Sequence, residues 1–254
     1  MENKNKKMET DGTTSEYFRC VQCGSPIKTL YIQYSAGNIR LMKCGKCKAV
    51  ADEYIECEIM ILVIDLILHK PKAYRHLFYN KFSKETVDFE SLLWKSVSAF
   101  LILDIYRMWI LTKIEKESNS PETVGSMLLE FPKMISSVIF GNLVFLCVMF
   151  HGTRKLFSIS AGFYGWKEIL LVVLVSSYFK IFLMATMVWE FPSSVIFIID
   201  MFVISSNIVA LKVITNSAIM RCLAVGLFAH SLKFIASYGF ITYPKLIRLT
   251  EFNK

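Results

Sequence analysis

Apolar residues in this chain gather into blocks about as long as a bilayer is thick, and few follow the shorter rhythm of a soluble amphipathic fold. Residues 1–16 are polar and read as a disordered tail, and residues 17–57 mix short apolar runs with cysteines. Ile59–Leu68 is a ten-letter apolar run (IMILVIDLIL) interrupted by Asp65, too short to span and better suited to an interfacial or packed helix. The basic, aromatic stretch from Lys70 to Glu90 reads as a linker at a membrane surface. Four long apolar blocks follow: Met134–Thr153, Ile169–Trp189, Ser193–Leu211 and Cys222–Tyr243. At about 1.5 Å of rise per residue, each can cross a hydrocarbon core of roughly 30 Å. Leu92–Leu111 is an ambiguous fifth span, because Lys95, Asp104 and Arg107 lie within it. The polar stretches Lys113–Lys133 and His151–Lys167 read as loops. The pattern divides the chain into a tail (1–16), a cysteine-bearing unit (17–57), an amphipathic, interfacial helical segment (58–90) and a transmembrane region of four to five helices (91–254).

Composition strengthens this reading. Hydrophobic residues make up 54% of the 254 residues, charged residues 20%, and the mean hydropathy is +0.44. A soluble domain is nearer a quarter charged. The net charge of +8 could suit nucleic acid, yet beside membrane spans it fits cytosolic flanks facing anionic lipid, and no nucleic-acid partner is expected. No apolar segment of signal-peptide type precedes the cysteines, and Lys and Arg are concentrated ahead of Lys95. Both features place the N-terminal domain in the cytosol. The basic tail with Lys245, Arg248 and Lys254 favours the same side, which five spans would not allow.

Cysteine spacing carries the sharpest chemical signal. Cys20-Val-Gln-Cys23 and Cys44-Gly-Lys-Cys47 form C-x2-C-x20-C-x2-C, the arrangement of a four-thiolate zinc site. Two residues between thiolates let one tight turn offer both sulfurs to an ion, and two such turns complete a tetrahedron. Gly24 and Gly45 would supply the backbone freedom. Between the pairs, Thr29–Tyr34 and Ile39–Met42 flank a turn-like Ala36-Gly37-Asn38, giving a β-hairpin zinc ribbon. Four thiolates leave no open position, so one structural Zn2+ is expected, with Cys57 outside the site. A RING-like second metal would need ligands that are not there.

These residues, with Ala51-Asp52-Glu53-Tyr54-Ile55-Glu56, Ile64-Asp65, Ala73-Tyr74-Arg75-His76, Leu77 and Asn80, closely resemble the homology domain of the ARV family, named for "ACAT-related protein required for viability". The match covers about a quarter of the chain. The resemblance implies an endoplasmic reticulum membrane protein of sterol uptake, trafficking and distribution. It also implies effects on sphingolipid metabolism and, in some relatives, on glycosylphosphatidylinositol (GPI) anchor assembly. Sterol, sphingolipid and GPI precursors are then the expected lipid partners, together with lipid-synthesis enzymes.

The remaining candidates are individual side chains. Asp65 and His69, four apart, would share a helix face, although such a pair more often marks the solvent side. Tyr74-Arg75-His76 could grip a lipid phosphate through the arginine fork, or simply anchor at the interface. Lys180 and Asp200 are the sole formal charges of their spans. With a tight turn at Glu190-Phe191-Pro192, the two would pair across antiparallel helices and line a polar seam. The alternative is a snorkelling Lys180 and a water-facing Asp200. No serine-hydrolase, phosphate-loop or dinucleotide motif is present. The expected architecture is mainly α, a multi-span helical membrane protein with a small cytosolic zinc ribbon. The favoured function is non-enzymatic lipid homeostasis, ahead of a scaffold for lipid-modifying or anchor-assembling enzymes and of an intramembrane acyl or glycosyl transferase.

Overall fold

A computed structural model describes residues 18–35, 38–82, 89–119, 124–156, 166–189, 192 and 194–252, with backbone alone for 115–119, 124–129, 187 and 240–252. The tail 1–16, the Ala36-Gly37 turn and the Glu190-Phe191 turn lie outside these residues.

The N-terminal unit is built from two small antiparallel sheets. Strand β1 (Phe18–Arg19) pairs with β2 (Pro26–Ile27), and β3 (Tyr31–Ser35) pairs with β4 (Asn38–Leu41). Strands this short cannot stand alone, and backbone bonds from Val21 N to Ala51 O and from Ala51 N to Met42 O tie the two sheets together. Helix α1 (Ile59–Ile67) buries Leu62 and Leu66 but leaves Ile59, Met60, Ile61, Val63, Ile64 and Leu68 exposed. Helix α2 (Pro71–Arg75) begins on proline, whose fixed φ suits a first helical turn, and runs into a single π-turn at His76–Lys81.

Long helices make up the rest. They are α3 (Phe89–Asn119), α4 (Val124–Leu156), α5 (Trp166–Ser176), α6 (Ala185–Val188), α7 (Ser194–Thr215) and α8 (Ile219–Phe252). Three helical stretches are long and apolar enough to cross a membrane: Glu130–Leu156, Ser194–Thr215 and Ile219–Gly239. Helix α3 is long enough, but Lys95, Asp104 and Arg107 keep it out of that group. Most of the stretch read as a loop after Lys113 is helix, since α3 continues to Asn119 and α4 starts at Val124.

The expected span Ile169–Trp189 is not one helix. It breaks at Ser176, continues as a 3-10 helix over Tyr178–Met184 and ends in α6. The hydroxyls of Ser176 and Ser177 donate back to Val173 O at 3.1 and 2.9 Å, the local competition by which serine weakens a helix. The tighter winding carries Lys180 into the interior, where only 3% of it is exposed.

Helix α4 packs along α8 through small residues. The Ser137 hydroxyl donates to Ser237 O at 2.8 Å, and Gly141 faces Ser237. At Gly152 a Cβ would fall 2.5 Å from Val225 Cγ1 and 3.2 Å from Cγ2, with no flexible end to move aside. Gly152→Ala should therefore force α4 from α8 and cost about 1–3 kcal/mol. A lower melting temperature in detergent checks this, and Gly239→Ala, where nothing lies within 4 Å, serves as the control.

Candidate functional site

The four cysteines converge. Their sulfurs all lie within 4.8 Å of one another, with Cys20 and Cys47 3.7 Å apart and Cys23 and Cys44 3.6 Å apart. A regular tetrahedron with 2.3 Å metal–sulfur bonds has edges of about 3.8 Å, so the donor set fits such an ion. The two knuckles share one backbone plan. In the first, Gly24 N donates to Cys20 O and Cys20 N to Ser25 O; in the second, Lys48 N donates to Cys44 O and Cys44 N to Ala49 O. The fourth residue after each leading cysteine turns left-handed, Gly24 at φ +75° and Lys48 at φ +62°. Glycine fills that place only once, and Gly45 does not adopt such a φ. Burial pushes the Cys20 thiol up to about 12, while the Ser25 hydroxyl, 3.3 Å from Cys23 Sγ, draws that thiol down to about 6. A coordinated dication would override both, since it deprotonates its thiols outright. Cys57 stands apart and donates to Glu53 O at 3.2 Å.

Behind the knuckles, a fully buried carboxylate joins the ribbon to the helices. Asp52 accepts from Tyr54 N at 3.1 Å, contacts His76 Nδ1 at 2.7 Å and accepts from Asn80 Nδ2 at 2.6 Å. Asn80 also exchanges two bonds with the Arg19 backbone, each 3.0 Å long. Arg75 Nη1 donates to Val21 O at 2.8 Å and Gln22 O at 3.0 Å, and Tyr74, fully buried, shares a 2.9 Å hydroxyl bond with Ser206 of α7. Tyr74, Arg75 and His76 are thus committed to internal partners, and no lipid phosphate need be invoked for them. Asp65 and His69 do not pair either. Helix α1 stops at Ile67 and His69 turns left-handed at φ +54°, so it leaves the face of Asp65. Asp65 accepts from Tyr54 Oη at 2.8 Å and meets Lys70 Nζ at 2.7 Å, and the lysine holds its carboxyl below the usual range. His69 Nε2 lies 2.9 Å from Ser205 Oγ, its ring clustered with those of Phe179 and Phe202, which also stack on each other.

Lys180 and Asp200 do not pair with each other. Lys180 Nζ donates to Asp104 Oδ1 at 2.7 Å and Lys233 Nζ to Asp104 Oδ2 at 2.6 Å, while Arg107 Nε donates to both oxygens of Asp200 at 2.9 and 3.0 Å. The ambiguous fifth segment supplies the partners. Helix α3 lies beside the 3-10 helix and brings Asp104 and Arg107 to both lone charges, so each finds a closer match than the other. Lys180 also sits 3.5 Å from the Phe100 ring centroid. The five charged groups line a cavity of about 430 Å3, together with His230, Ser231, Ser237 and Tyr238.

Comparison with known proteins now identifies the kind of molecule this is. The family model described as the Arv1-like family matches residues 19–211. The chain belongs to the Arv1-like family. It is 51% identical over 216 residues to "Protein ARV 2" of Arabidopsis thaliana, covering 85% of this chain and 92% of the relative. It is 50% identical over 223 residues to "Protein ARV 1" of the same plant, covering 87% and 88%. "Protein ARV1" of Homo sapiens is 27% identical over 218 residues, covering 82% and 76%. No solved structure matches. Membership of the Arv1-like family supports a role in sterol and lipid homeostasis in the general sense.

Among family features, the sequence motif already contained Asp52, His76 and Asn80, but their role as a clamp was hidden because His76 and Asn80 lie 24 and 28 residues from Asp52. Asp104 and Arg107 were visible only as blemishes in an apolar run.

Removing one partner from a buried ion pair typically costs about 3–5 kcal/mol. Asp104→Leu strands two ammonium groups and should lower the yield and melting temperature of the detergent-solubilised protein more than Asp200→Leu. The reciprocal exchange Asp104→Lys with Lys180→Asp should recover part of the loss. Exchanging Lys180 with Asp200 should recover none, as each would then face a like charge.

Proposed function

We propose that this chain is a multi-pass endoplasmic reticulum membrane protein that acts in sterol homeostasis by binding lipid or helping to move it between membranes, with a further effect on sphingolipid metabolism. The observation that carries the reading is the charged cavity beside helices long enough to span, in a chain of this family. Such polar, concave sites within a membrane are where amphiphiles can be held by the head. The exposed apolar side chains of α1 support placing that helix in the lipid interface, where they would be covered.

The ribbon would hold one Zn2+ through Cys20, Cys23, Cys44 and Cys47. The ion would supply no reaction chemistry here, because four thiolates fill its coordination; it would cross-link two knuckles too small to fold alone. Reduced thiols favour the cytosolic side for this domain. The protein would thus act without catalysis of its own.

Elemental analysis of the purified chain should give one zinc per molecule. Zinc coordination is worth roughly 10–16 kcal/mol in small zinc-binding peptides, so Cys44→Ser should release the metal and expose 17–57 to protease, while Cys57→Ser should do neither. A photoreactive sterol added to the pure protein in nanodiscs should crosslink saturably, with excess cholesterol competing. Absence of crosslinking in a folded, zinc-loaded preparation would favour a scaffold role and overturn direct sterol binding.

A further inference from the structure

We infer that the cavity between α3, α7 and α8 receives the phosphodiester of an anionic membrane lipid, and that Lys233 takes its charge. Three cations, Arg107, Lys180 and Lys233, face two carboxylates, Asp104 and Asp200. Arg107 and Asp200 form a matched pair through bifurcated contacts. The single charge of Asp104 is divided between two ammonium groups at 2.7 and 2.6 Å. One positive charge is left over. An uncompensated charge inside a membrane is costly, and a ligand group carrying one negative charge removes that cost.

Access distinguishes the two lysines. The side chains of Lys180 and Asp104 are each 4% exposed, whereas that of Lys233 is 17% exposed, so the surplus charge is presented by Lys233. A second donor stands nearby. Asn207 Oδ1 accepts from the Ser176 hydroxyl, so its amide nitrogen faces outward and donates to His230 Nε2 at 3.1 Å. A histidine accepting at Nε2 carries its proton at Nδ1, and His230 is one of the residues that line the cavity. Ser231 adds a hydroxyl on the same wall. Ammonium, imidazole N–H and hydroxyl donors together suit phosphate oxygens.

The rim identifies the ligand as a lipid. Leu227, Phe234 and Ile235 are all exposed at the cavity and would meet acyl chains rather than water. A free anion would leave that apolar rim uncovered. A sterol hydroxyl carries no charge and would leave the surplus ammonium unmatched; the inference rests on the reading that this cavity holds a lipid by its head, and not on that lipid being a sterol.

The test uses the full chain purified in detergent, with isothermal titration of dioctanoyl-phosphatidylglycerol, of dioctanoylglycerol lacking the phosphate, and of inorganic phosphate. The phospholipid should bind once per chain, and the other two at least about tenfold more weakly, the loss expected for a charge-assisted contact. Lys233→Gln leaves Lys180 with Asp104 and Arg107 with Asp200, two matched pairs, so the variant should keep its zinc and its melting temperature. Its affinity for the phospholipid should fall about tenfold, and Lys233→Arg should restore it. Equal binding of dioctanoylglycerol would overturn the phosphate assignment, and this comparison needs no variant. Equal binding of inorganic phosphate would overturn the lipid assignment. Undiminished affinity in Lys233→Gln would overturn the role of that residue. Sterol crosslinking in the same preparation reports separately on the sterol reading.

Discussion

A carboxylate cannot sit in a membrane-spanning bundle without cations to meet it, and the position of Asp104 organises the helices around that requirement. Its two oxygens reach Lys180 on the 3-10 helix and Lys233 on α8, so one side chain joins three segments that are far apart in sequence. Asp200, one helix over, repeats the arrangement with Arg107. In a low dielectric these contacts are strong but replace lost hydration, so their chief yield is a single allowed packing rather than net stability. The break at Ser176 follows from the same demand. A continuous helix would keep its regular winding past Ser176; the 3-10 turns that replace it bring Lys180 to Asp104.

A second buried carboxylate does for the ribbon what Asp104 does for the bundle. Asp52 lies next to the second knuckle and gathers His76 and Asn80 from the helical segment, so docking of the four-cysteine unit is written into three polar side chains. From there a polar line continues inward. Tyr74 meets Ser206, Ser206 donates to Ser176 O, and Ser176 donates to Asn207, which holds His230 at the cavity wall. The segment on which the ribbon docks therefore also sends a hydrogen-bonded series to the cavity wall, the two sets joined through the backbone between Tyr74 and His76.

Much of this was legible in the residues. The cysteine spacing specified both knuckles and the hairpin between them, since ligand geometry is local and carried by short turns. Uninterrupted apolar length marked three helices long and apolar enough to cross a membrane, for the same reason. What could not be read was any choice made between distant segments. Lys180 and Asp200 looked like natural partners because only their own helices and a turn entered the reckoning; α3, with a mixed sequence, offered no periodic signal of its proximity. Tyr74, Arg75 and His76 carried the chemistry of a phosphate grip, and only the folded chain reveals backbone carbonyls and Asp52 as the groups they hold. The left-handed His69 likewise escaped notice: it closes the end of α1, with His69 N donating to Leu66 O and Lys70 N to Asp65 O, a place where glycine is the usual signal and histidine gives none.

The sequence distance between the charges and their partners has a bearing on biogenesis. Asp104 and Arg107 are synthesised with α3, yet Lys180, Asp200 and Lys233 follow 76, 93 and 129 residues behind the groups they match. At translation rates of about 5–20 residues per second, α3 waits several seconds with its charges unanswered. Over that interval its cheapest location is beside water or within the insertion machinery, not in lipid. Helix α3 would then enter the bundle late, as a guest of helices made after it, and the order of integration would depart from the order of synthesis.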